Sequence, residues 1–134
     1  MLRGRWQGGL LDRPKPVILC VDDEENPLML RKLVLQKAGY EVVTANSANQ
    51  ALEILTTRKV DLVLSDQLMP GATGTDLAKQ LKSTSPHLPV VIGSGVNELP
   101  PDADYADRFI SKLEGPAYLS QQIAEVLVRV EKTE

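Results

Sequence analysis

Three observations predict an α/β fold with a parallel sheet covered by helices on both faces. Short apolar runs alternate with amphipathic segments along the 134 residues. The first run, Val17–Val21, is nearly continuous in its hydrophobicity, the pattern of a strand buried on both sides. Polar residues then stand at the carboxyl ends of the runs. Repeated strand–helix units of this kind close into a parallel sheet.

The elements follow in order. After Val17–Val21, Asn26 and Pro27 resemble an N-cap followed by a proline at the first helical position, where a missing N–H costs nothing. Leu30, Leu33, Val34 and Ala38 recur at helical spacing, and Gly39 ends the run as a C-cap. A short strand, 40–45, comes next. Ser47 can cap a second helix whose inner face carries Ala48, Ala51, Leu52 and Leu55. The run 60–66 is a strand ending in Asp66, and the loop "QLMPGATG" leads to a helix with Leu77, Ala78 and Leu81. Strands are expected at 89–95 and 108–112. The last helix, from about Ala117, buries Leu119, Ile123, Val126, Leu127 and Val130. Between these strands Pro100 and Pro101 disfavour a helix, so the fourth helix should be missing or reduced to a turn.

In parallel sheets, ligands bind beyond the carboxyl ends of the strands, near the point where strand order reverses. There the chain places Asp22 and Asp23 after the first strand and Asp66 after the third. Ser94 follows the fourth and Lys112 the fifth. Three carboxylates at one rim make a hard, oxygen-rich site suited to Mg²⁺. Lys112 is a compact cation for a phosphoryl oxygen, and Ser94 offers a hydroxyl. Together these are the parts of phosphoryl transfer, with an aspartate as nucleophile.

With these residues in that order, the sequence resembles a response-regulator receiver domain of two-component signalling over roughly residues 15–131. The acidic pair Asp22-Asp23 matches the family's metal acids. "DQLMPGATG" matches its phosphoacceptor loop, with Met69-Pro70 and Gly74 at the family's offsets, and Ser94-Gly95 matches the pair after the fourth strand. Phe109 stands where the family places its switch aromatic.

The resemblance implies a flavodoxin-like three-layer sandwich with strand order 2-1-3-4-5, an order for which a member of this family is a standard illustration. It implies Asp66 as phosphoacceptor, and Mg²⁺ (Mn²⁺ as alternative) on Asp23, Asp66 and the Leu68 carbonyl, with Asp22 acting through water. The backbone N–H groups of Leu68 and Gly95, with Ser94 and Lys112, would contact the phosphoryl group, and Ser94 with Phe109 would form the switch. Apolar Leu68 and Val96 border the path of the attacking water, which implies slow self-dephosphorylation. The implied donor is a histidine kinase or phosphotransfer protein, and the implied output is docking to an unidentified downstream protein.

Two features depart from the family. Leu113 replaces the usual proline after Lys112, so a trans peptide is expected there. The 18-residue step from Ser94 to Lys112 is also short.

The same residues bear on two other functions. A haloacid-dehalogenase-type phosphatase needs a D-x-D nucleophile motif, whereas Asp22 and Asp23 are adjacent. A receiver-like interaction module that is never phosphorylated is opposed by the intact acids, Ser94 and Lys112, while the shortened fourth segment leaves that alternative open. Glu24 and Glu25 read as a solvated first-turn pair favoured by the helix dipole, Cys20 as a small core residue, and His87 as a surface turn residue.

A net charge of −3 gives no basic face for nucleic acid. The single cysteine forms no disulfide framework, which fits a reducing, cytoplasmic setting. No apolar stretch approaches the roughly 18 residues of a membrane helix. Residues 1–14, with Gly8-Gly9 and Pro14, read as a flexible lead-in without a signal peptide. The chain ends soon after the last helix, so it should act alone by docking or belong to a larger protein. The domain is expected to catalyse only its own phosphorylation and dephosphorylation, not to be an enzyme.

Overall fold

The computed structural model describes residues 14–95 and 103–133. The expected lead-in lies outside these, apart from Pro14. Within them five strands, β1 (Val17–Val21), β2 (Glu41–Ala45), β3 (Leu62–Asp66), β4 (Val90–Ser94) and β5 (Arg108–Ser111), pair in parallel in the order β2-β1-β3-β4-β5. Among the described residues four α-helices join or follow them: α1 (Glu25–Lys37), α2 (Ala48–Thr57), α3 (Gly74–Thr84) and α4 (Pro116–Thr133). The chain runs outward from β1 to β2, then returns across β1 to β3. Right-handed crossovers therefore place α1 and α2 on opposite faces, and the order reverses between β1 and β3.

Alternation along the strands divides the core in two. Leu19, Val21, Val63 and Ile92 pack with Ala51, Leu77 and Leu81 of α2 and α3. Ile18, Cys20, Leu64, Val91 and Ile110 pack with Leu35 of α1 and Ile123 and Val126 of α4. Because β1, β3 and β4 are covered on both faces, they carry almost no polar residue until their last positions. The fully buried Cys20 has its thiol pushed up to about 12 by burial, with Arg31 opposing, so it is an inert core group.

Most expected boundaries hold within a residue or two. Ser47 caps α2 by accepting the Gln50 N–H, and Gly39 follows α1 with a left-handed φ of 104°. Thr73 forms a capping box with Asp76 at the start of α3. The Thr73 backbone N–H, and then its hydroxyl, hold the Asp76 carboxyl below its usual range. Between β4 and β5 the described residues hold one turn of 3₁₀ helix, Ala103–Tyr105, in keeping with a reduced fourth helix. Pro100 and Pro101 and the side chain of Val130 fall outside the description.

Two expectations for α1 need correction. Its N-cap is Glu24, not Asn26, and no side chain caps the helix. Instead Asp22 Oδ1 accepts the Glu24 N–H at 2.9 Å, so the acidic loop itself sets the helix start. Pro27 then falls at the third helical position, where its N–H would still lack an intrahelical acceptor. The expected inner stripe is also rotated. Leu30 and Leu33 are 62% and 55% exposed and Ala38 is exposed, whereas Leu35 is fully buried and Leu28 packs beside it. Val34 is partly buried. Apolar residues nearly encircle this helix, so spacing alone did not select the face.

Candidate functional site

The site lies at the carboxyl ends of β1, β3, β4 and β5. Asp22 follows β1 directly and is fully buried, Asp66 ends β3 at 6% exposure, and Asp23 is exposed. One carboxylate oxygen from each of the three lies within 4.8 Å of the others, a spacing that fits a shared hard cation. Lys112 reaches back from the end of β5 to place Nζ 2.8 Å from Asp66 Oδ1. Its stem runs over Gly93, where an added Cβ would sit 3.4 Å from Lys112 Cγ.

The remaining expected residues gather at the same rim. Ser94, 7% exposed, ends β4, and its carbonyl accepts the Lys112 N–H at 3.0 Å. Ile92 pairs with Phe109 and Ser94 with Ser111, so Ser94 and Phe109 share a sheet face on adjacent strands. Phe109 is half-buried against the α2–α3 core. Leu68, two residues beyond Asp66, is 70% exposed, and Gly95 is exposed. Val96 lies outside the described residues. No described peptide bond is cis, including that between Lys112 and Leu113.

Three features escaped the sequence reading. The first is Arg31, whose Nη1 lies 2.8 Å from Asp22 Oδ2. Its spacing from Leu28 and Leu35 puts it on one of the stripes that α1 could turn inward, but carries no signal of the pairing with Asp22. The second is buried Gln67, whose side chain accepts the Thr75 N–H at 3.0 Å and donates to the Thr75 hydroxyl at 3.1 Å, tying the acceptor loop to α3. The third is the reason for Gly74. A Cβ there would stand 2.6 Å from the backbone oxygen of Asp66. The glycine lets α3 start against the end of β3.

The family model for the response regulator receiver domain matches residues 18–124. The chain belongs to this family. As a receiver domain it is similar to the alkaline phosphatase synthesis transcriptional regulatory protein PhoP of Bacillus subtilis. The two are 30% identical over 121 residues, which is 85% of this chain and 49% of that protein. The chain thus spans about half the length of the curated relatives it matches there.

Among solved structures, a receiver domain from Clostridium thermocellum superposes with a TM-score of 0.81 at 30% identity, covering 89% of this chain and 99% of the other. The response regulator TrrA of Thermotoga maritima, solved in complex with Mg²⁺–BeF, gives 0.78 at 28% identity, covering 82% and 97%. The flavodoxin-like receiver fold is therefore shown, and with it a role as a phospho-accepting signalling module. Among the described residues no helix is long and apolar enough to cross a membrane.

Proposed function

We propose that this receiver takes a phosphoryl group from a phosphohistidine of a histidine kinase or phosphotransfer protein onto Asp66, and thereby switches a protein-interaction surface. The observation that carries the reading is the buried Asp66 carboxylate, 2.8 Å from the Lys112 ammonium and within a cluster of three acids. Asp66 would attack phosphorus as the phosphorus–nitrogen bond breaks, and the bonding pair would return to the donor imidazole. Lys112 neutralises charge on the phosphoryl oxygens, and the Ser94 hydroxyl and the N–H groups of Leu68 and Gly95 orient them.

Asp23, Asp66 and the Leu68 carbonyl would hold Mg²⁺, or Mn²⁺ with the same hard ligands, and Asp22 would act through water. Both Asp22 oxygens already have partners within the protein, which supports that indirect role. When bound, the cation neutralises phosphoryl oxygens during transfer.

The product adds about −1.5 to −2 charges at Asp66. Ser94 and Lys112 would be drawn toward it, and Phe109, on the same sheet face as Ser94, would follow. On this reading the domain, residues 15–131, works in the cytoplasm. It turns over no external substrate, and contacts neither nucleic acid nor membrane directly.

Incubation with acetyl phosphate and MgCl₂ should add one phosphoryl group by intact mass, labile and absent from Asp66→Asn. An equal gain in that variant, or none in the wild type with Mg²⁺ bound, would overturn the assignment. The exposed apolar Leu68 side chain predicts a slow decay of the phosphorylated form. Leu68→Asn should speed the loss severalfold by orienting a water, and an unchanged decay rate would refute this role.

A further inference from the structure

The inward face of α1 carries Leu28, Arg31 and Leu35, and the flanking leucines pack on the sheet. Arg31 stands between them with its side chain only 14% exposed. A guanidinium in such a place requires a paired anion, since isolated burial of its charge is strongly unfavourable. Its partner is the fully buried Asp22, at 2.8 Å through Oδ2. The other oxygen, Oδ1, accepts the Glu24 N–H. Asp22 is thus held at both ends by the protein.

Asp22 is at the same time one of the three acids whose oxygens cluster within 4.8 Å. Against those three carboxylates stand two paired cations, Arg31 and Lys112, which leave one formal negative charge at the rim. Arg31 also lines an open recess of about 230 Å³ together with Gly93 and Lys112. Its charge therefore stands at the edge of the same rim, beside the acids and Lys112.

We propose that Arg31 is an internal counter-ion and positioning residue of the acidic rim. It holds Asp22 in place so that the site stands without a divalent cation, and its positive charge competes with a cation held through water on that carboxylate. The protein should therefore bind Mg²⁺ more weakly than the three acids alone would, and fold well without it. This inference rests on the reading of the acids as a Mg²⁺ site. It goes beyond that reading by assigning the control of affinity to a side chain on α1.

The test is Mg²⁺ affinity by isothermal calorimetry with MgCl₂ on the full chain, paired with thermal unfolding in EDTA and in excess MgCl₂. Arg31→Met keeps much of the side-chain volume and removes the charge. It should tighten Mg²⁺ about tenfold and lower the melting temperature in EDTA, with excess Mg²⁺ restoring most of the loss. Arg31→Lys keeps the charge and should stay within about twofold of the wild-type affinity. Should the methionine variant not fold, a tenfold change in the lysine variant would itself overturn the role of the charge. Unchanged or weaker binding in Arg31→Met would overturn the competition. A wild type that binds no Mg²⁺ would instead overturn the metal-site reading and this inference with it.

Discussion

Lys112→Met should slow phosphorylation of Asp66 by acetyl phosphate about a hundredfold, the scale on which losing one preorganised charge donor lowers a rate. The reason is geometric. The Lys112 ammonium already lies 2.8 Å from Asp66 Oδ1, and its stem is laid over Gly93, so it needs little rearrangement as charge develops. Methionine leaves the stem's packing largely intact while removing the cation. Mg²⁺ affinity should not fall in this variant, because one competing positive charge has gone. The measurement is the initial rate of phosphoprotein formation by mass at saturating MgCl₂. A rate equal to that of the wild type would show that Lys112 is a structural partner of Asp66 and not part of the transfer machinery.

The second large effect is on folding. Gly74→Ala should cost about 2 kcal/mol of stability, the range for forcing an added methyl into a packed site. The new Cβ would meet the Asp66 carbonyl oxygen at 2.6 Å, and that atom belongs to the backbone at the end of a buried strand. Neither side can yield without moving β3 or the start of α3. Gly95→Ala is the control. Nothing lies within 4 Å of a Cβ at Gly95, and its φ is not in the left-handed region, so the fold should tolerate the change. Urea unfolding of the two variants should separate them clearly, and equal midpoints would refute the steric account. Because the strain at Gly74 falls on Asp66 itself, the alanine variant should also accept phosphate more slowly.

Much of this was legible in the chain. Strands β1, β3 and β4 are read from short apolar runs because burial on both faces leaves no position for a polar residue until the strand ends. That pattern also places Asp22, Asp66 and Ser94 at one rim, since parallel strands share a direction. The clustering of three acids with Lys112 therefore follows from strand order and the offsets of the acceptor loop. Ser47 could be placed as a cap from its spacing alone, because a cap interacts only with the turn that follows it.

The face of α1 was a different matter. Leu28, Met29, Leu30, Leu33, Val34 and Leu35 nearly encircle the helix, so local spacing admits more than one inward stripe. Contact with the sheet selected Leu35 and Leu28 and left Leu30 and Leu33 in solvent. The same rotation carried Arg31 to Asp22, a pairing across nine residues that no periodicity encodes. The start of α1 likewise depended on the Asp22 carboxylate reaching the Glu24 N–H, so the Asn26 cap was not used. By itself the sequence determined the sheet, its buried strands and the line of polar groups along its rim. The tertiary structure decided which way α1 turns and which cation stands beside the acids, because those choices depend on packing and charge pairing between segments distant along the chain.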